Sequence, residues 1–181
     1  KNSQIIYNDI VDSKFVAIIY NLLTKERTIL PMAIYSLNNN IALCIDNERH
    51  HWVRRGYSYD GISNQKKNKN LVKDDGIYTL DIVTREVKKI IEIKDMVNFR
   101  PLASMKNGIH YLEHLMVSPD NKRLAFLHRW KLDNGGIYTR LYTANIDGTD
   151  IYLLNDSGRM SHFCWDTESQ IFGWGGVSNA I

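Results

Sequence analysis

The chain has 181 residues, 44% of them hydrophobic and 24% charged, with a formal net charge of +3. This is globular composition, so disorder and low-complexity fibres are excluded, and the length suits one ordinary domain. So mild a positive charge lacks the dense basic stripe of a nucleic-acid binder, and no apolar run approaches the roughly 18 residues of a membrane span. The expected partners therefore include neither nucleic acid nor a membrane span, and the compartment is open between cytoplasm and periplasm.

Apolar residues fall in short runs bounded by Asn, Asp, Gly and Ser, with almost no helical period, which predicts an all-β chain. Residues 1-30 supply the outer strands of a first unit, a pair at Phe15 to Leu23 and Arg27 to Leu30. Residues 31-93 form a second unit. It opens with strand, polar turn and strand from Met32 to Asp46 (MAIYSLNNNIALCID), carries a long insertion at 47-74, and closes with two strands at 75-93 (DGIYTLDIVTREVKKIIEI). Residues 110-156 repeat the plan, with His114 to Arg129 (HLMVSPDNKRLAFLHR) followed by 139-154 (TRLYTANIDGTDIYLL). Residues 159-181 begin a further unit with His162 to Trp174 (HFCWDTESQIFGW).

Four antiparallel strands per unit, repeated, is the pattern of β-propeller blades, where each sheet is buried on both faces. Ile41 to Cys44 and Leu124 to Leu127 fit, being apolar at every position without polar alternation. The chain is expected to hold about three to four blades of a larger ring of about six to eight, closed by further blades or by a second copy of the chain. Cys44 and Cys164 read as small core residues, and Trp165 and Trp174 as core, whereas Trp52 and Trp130, beside arginines in loops, read as exposed platforms. Phosphate loops, nucleophile elbows and paired Cys-x-x-Cys motifs are absent from the sequence.

The run SPDNKRLAFLH with RLYTANIDGTDIYLL resembles the TolB-type, WD40-like propeller repeat at Ser118-Pro119-Asp120 and Asp147-Gly148-Thr149. EHLMVSPDNKRLAFLHRW with SHFCWDTESQIFGW is similar to the propellers related to oligogalacturonate lyase, found in bacterial polysaccharide systems. That second resemblance implies a divalent metal (Mn or Zn) held mainly by histidines, with His114 and His162 as the nearest matches. It also implies β-elimination on a uronate, with catalytic roles for His114, His162 and Arg129.

In a blade the tight hairpins share one face, and the insertion 47-74, the segment 94-109 and Trp130 to Gly136 share the other, where function collects. Every histidine maps to that long-loop face, and aligning the repeats sets His114 beside His162 on adjacent blades. Imidazole there can bind metal, transfer protons, or simply hydrogen-bond a neighbouring blade. The candidate ligand-binding set is His50, His51, Trp52, Arg54, Arg55, Tyr57, Tyr59, Arg100, His110, His128 and Trp130. Guanidinium with aromatics suits an acidic sugar, the fork gripping a carboxylate and the ring packing on C–H surface. The same arginines can instead pair with Asp46, Glu48, Asp60 or Glu113. The leading expectation is a carbohydrate-recognition module for an anionic oligo- or polysaccharide, ahead of a metal-assisted lyase and of a protein-interaction platform.

Overall fold

A computed structural model describes residues 3-62 and 75-176. The chain folds into antiparallel sheets laid down in order, each a simple meander. The first contains β1 (Gln4–Val11), β2 (Lys14–Asn21) and β3 (Arg27–Leu30); the second contains β4 (Ser36–Asn38), β5 (Ile41–Cys44), β6 (Gly76–Asp81) and β7 (Val87–Glu92). The third contains β8 (Ile109–Val117), β9 (Arg123–Lys131), β10 (Ile137–Asn145) and β11 (Tyr152–Gly158), and the last contains β12 (Met160–Trp165) and β13 (Ile171–Gly175). The all-β expectation and the four-stranded antiparallel unit hold, as in a propeller-like segment.

Three apolar clusters show why strands in this chain lack alternation. Ala17, Leu30, Ala42, Cys44 and Leu80 join the first two sheets, and Leu43, Ile77, Ile91, Leu112, Val117 and Phe126 join the second and third. Leu127, Leu141 and Met160 join the third and last. A sheet covered on both faces must be apolar at both parities, and β9 is buried at every residue from Leu124 to Trp130. Each large side chain so enclosed contributes about 1.5–3 kcal/mol. The turns follow local chemistry. Asp12 and Ser13, with φ of 48° and 59°, make the two-residue turn that suits a twisted hairpin. Gly148 has φ of 87°, and a Cβ on it would run into the Ile90 carbonyl of β7.

Several expectations need correction. The first sheet has a third strand, because residues 4-11 pair along their whole length with β2. The stretch read as a loop from residue 47 begins with helix α1 (Asn47–Val53), whose N-cap Asp46 accepts the Arg49 N–H at 3.1 Å. A second helix, α2 (Ile93–Asn98), and a 3-10 turn (Ala103–Met105) occupy the connection between β7 and β8. Helices this short carry too few turns to show a period in sequence. Cys164 and Trp174 are exposed rather than core, the latter 69% exposed, and Trp165 is half-buried. Their sheet has only two strands and is packed on one face alone among the described residues. Cys44 is buried, as expected. The part of the insertion at 63-74, and residues 177-181 of the last unit, lie outside the described residues. No helix among the described residues is long and apolar enough to cross a membrane.

Candidate functional site

The site grows from an irregularity in β8. The ladder to β9 runs regularly to Glu113, breaks, and resumes at Met116. His114 inside this bulge takes a left-handed φ of 53°, rare for a residue with a side chain and costing of order 1–3 kcal/mol. Its backbone N–H leaves the ladder and donates to Tyr35 Oη at 3.0 Å. The bulge aims the His114 side chain outward, 20% exposed, while Glu113 is wholly buried behind it.

Glu113 is the hub. Arg129 Nη1 lies 2.7 Å from Glu113 Oε1, and His50 Nε2, on α1, lies 3.1 Å from Oε2. A carboxylate only accepts, so His50 carries its proton on Nε2 and donates it. His114 Nδ1 stands 3.5 Å from Oε1, long for a hydrogen bond. Burial pushes the Glu113 carboxyl up, but His114, His50 and Arg129 together outweigh burial and hold it down at about 2. Arg129 Nη2 also donates to the Met160 carbonyl at 3.1 Å, tying the third sheet to the last.

His114 and His162 do come together, ring centroids 6.0 Å apart, with His162 exposed. The Tyr57 ring also lies near His114, with centroids 6.1 Å apart. His51 sits 3.6 Å from Asp60 at the surface, and Trp52 is half-buried. Arg55 is exposed, as is Arg100, whose guanidinium sits 5.8 Å from the Phe99 ring centre on the connection that leads into β8.

Three expected ligand contacts are overturned by burial. Trp130 is fully buried, stacked on Tyr138 at 4.6 Å with its indole N–H given to Ser104 Oγ at 3.2 Å, so it cannot be a platform. His110 and His128 are 2% and 0% exposed. Met105 O accepts from His110 Nε2 at 2.8 Å, so a neutral His110 accepts at Nδ1 the proton of His128 Nε2 at 3.0 Å. Burial lowers both pKa values, helped by Arg49 for His110 and by His110 and Arg140 for His128. The expectation failed because a His-Arg-Trp run at a strand end looks exposed in one dimension, whereas Tyr138 and Tyr142 of β10 and the 3-10 turn with Ser104 and Met105 enclose these rings in three.

Arg129, assigned a catalytic role, is likewise committed: it is 6% exposed and paired with Glu113. Arg49, Arg123 and Arg140 are paired with Asp75, Asp150 and Asp156. Arg54 differs. It has no carboxylate partner among the described residues, its Nε is buried without an acceptor, and its guanidinium lies 4.4 Å over the Tyr57 ring. Tyr57 also lines a cleft of about 320 Å³, together with Ile34, Tyr35, Asn47, Gly56, Ser58 and Tyr59. Tyr59 closes one wall by packing on Phe15 at 6.0 Å.

The metal implied by the resemblance does not fit the residues present. Among the described residues no group of three or more His, Cys, Asp or Glu is placed to hold an ion. His114 and His162 offer two ligands, and the nearby Glu113 oxygens are taken by the cation of Arg129 and the N–H of His50.

No known protein family matches the sequence, and no curated protein matches it. Among solved structures, TolB from Acinetobacter baumannii aligns at 13% identity and a TM-score of 0.33, over 87% of this chain and 45% of that one. The chain spans less than half the length of that protein. Similarity of that size leaves the fold to be judged from the sheets themselves.

Tyr35, Asn47 and Ser58 were not legible as site residues. Tyr35 reads as one more strand aromatic, and Ser58 as loop. Glu113, read only as a counter-ion for arginine, did leave a signal, a lone acid inside the apolar run HYLEHLMV. A buried charge there demands partners, and the partners turn out to be the histidines and arginine of the long-loop face.

Proposed function

We propose that the cleft beside α1 binds an anionic oligosaccharide, as a recognition or accessory module in bacterial polysaccharide metabolism. The observation that carries this reading is Arg54, a guanidinium without a carboxylate partner among the described residues, held over a tyrosine that lines the cleft. Its free fork suits a carboxylate, the tyrosine faces suit sugar C–H surface, and the volume lies at the small end of the usual range for ligand sites. Affinity electrophoresis tests it. Gels containing polygalacturonate should retard the protein, gels containing a neutral glucan should not, and Arg54→Gln should abolish the retardation. Arg85→Gln, an exposed arginine in the β6–β7 turn, controls for net charge and should migrate as wild type. Equal mobility of wild type and Arg54→Gln in the acidic gel would sink the proposal.

One contact favours a second reading, a lyase in which His114 removes a proton from the bound uronate. His114 is 20% exposed and its ring lies near those of His162 and Tyr57, with ionised Glu113 beside it to stabilise an imidazolium. Release of unsaturated product, followed by ultraviolet absorbance and lost in His114→Ala, is the result this reading requires.

At the level of architecture, we propose that these sheets are about three to four blades of a larger ring, closed by further blades or by a second copy of the chain. The edges of β1 and β13, without a further paired strand among the described residues, and the exposure of Ile5, Phe172 and Trp174 support it. Light scattering on the purified chain distinguishes the two closures, since a second copy doubles the mass.

A further inference from the structure

We infer that the hydroxyls of Tyr35 and Tyr59 are locked as proton donors toward the cleft and set its preference for an acid group over a hydroxymethyl group. The inference deepens the anionic-ligand reading above and rests on it. A phenol hydroxyl has one proton to give and an oxygen that accepts. Which role is left for a ligand depends on what the protein already uses.

At Tyr35 the bulge decides. The backbone N–H of His114 can only donate, and it donates to Tyr35 Oη at 3.0 Å. The oxygen is therefore the acceptor in that bond and the phenol proton remains unspent. Burial, the largest influence on this group, raises its pKa above the ordinary 10.0, so the proton stays on the oxygen at neutral pH.

At Tyr59 the orientation of one amide decides. Ile34 N–H donates to Asn8 Oδ1 at 2.8 Å, and Asn8 Nδ2 donates to Ile34 O at 2.7 Å. Reversing the Asn8 amide would set donor against donor and acceptor against acceptor, so its orientation is fixed by the backbone it pairs with. The atom 2.8 Å from Tyr59 Oη is then Nδ2, a donor, and Tyr59 must accept. Its proton is unspent as well. Neither hydroxyl has an acceptor among the described residues, and both tyrosines line the same cleft.

Ser58 complements them. It has one proton and gives it to Asn47, whose Oδ1 lies at 2.7 Å, so its oxygen is left accepting. The cleft thus offers two donating phenols, one accepting hydroxyl and a lining ring, Tyr57, that carries the Arg54 guanidinium over it. An oxyanion with a neighbouring hydroxyl, as on a uronic acid ring, satisfies that set. A hydroxymethyl group in place of the carboxylate leaves Arg54 without a counter-charge and offers the two phenol protons only a neutral oxygen, a weaker acceptor than a carboxylate.

Titration calorimetry of the whole chain with two probes tests this: a uronic acid disaccharide and its carboxyl-reduced neutral counterpart. Wild type should bind the acid at least about tenfold more tightly. Tyr35→Phe and Tyr59→Phe should each weaken the acid by about tenfold or more and the neutral sugar by a clearly smaller factor. Circular dichroism and urea denaturation check that each variant is folded. Should Tyr35→Phe fail to fold because the His114 N–H is stranded, Tyr59→Phe decides alone. Variants that bind the acid as wild type does, or that weaken both sugars equally, overturn the donor assignment and leave the sugar-binding reading standing. A wild type that binds neither sugar overturns both.

Discussion

Replacing Glu113 by Gln tests whether the buried hub is ionised. The substitution keeps the shape of the side chain and removes its charge, leaving the Arg129 guanidinium, 6% exposed, without a counter-ion. Stranding one member of a buried ion pair typically costs about 3–5 kcal/mol. The titration behaviour of the carboxyl leads to a similar figure. A fall from the ordinary 4.5 to about 2, at about 1.4 kcal/mol per pH unit, corresponds to about 3 kcal/mol of stability at neutral pH. Because the folded-state value is depressed, that contribution is complete above pH 4.5 and is lost as the pH falls from there toward about 2. Urea denaturation of wild type and Glu113→Gln should therefore differ by about 3 kcal/mol at pH 7, and the gap should narrow steadily below pH 4.5. A difference under about 1 kcal/mol at pH 7, or a gap that does not shrink in acid, would refute the ionised hub. A network of this kind outweighs a surface ion pair such as Arg27–Asp9, whose partners are 53% and 44% exposed and which should contribute under about 1 kcal/mol.

Gly148→Ala should cost about 2 kcal/mol or more in thermal or chemical denaturation, because the new Cβ must adopt a φ of 87° and press into the Ile90 carbonyl across the sheet interface. A loss below about 0.5 kcal/mol would mean the β10–β11 turn is not packed on β7 as described. The buried pair His110 and His128 has depressed folded-state values. Its contribution is therefore complete above the unfolded-state value of about 6.5 and declines as the pH falls below it, where the unfolded chain binds protons that the native rings refuse. Nitrogen-15 NMR of the rings should show both neutral and protonated on Nε2 at pH 6, and a His128 ring titrating near 6.5 would contradict the assignment.

How much of this was written in one dimension depends on the range of the interaction. Hairpins are local. Asp147-Gly148-Thr149 and the polar stretch Asn38 to Asn40 mark their own turns, and runs apolar at both parities announce a sheet covered on both faces, so strand order within each repeat was legible from neighbouring residues. The approach of His114 to His162 was legible too, because equivalent positions in successive repeats become neighbours when the sheets stack in order. Burial and pairing at the site are not local. Glu113 meets His50 across 63 positions, and Asn8 orients Tyr59 across 51. Composition cannot tell a free arginine from a neutralised one. Arg129 and Arg54 look alike as residues beside aromatics in the sequence, yet Arg129 is spent on a carboxylate that only the β8–β9 pairing brings within reach, while Arg54 lies over Tyr57 with no carboxylate among the described residues. Charge, hydrogen-bond polarity and exposure are set by what surrounds an atom in space, so the tertiary structure alone decided which of the candidate side chains a ligand can meet.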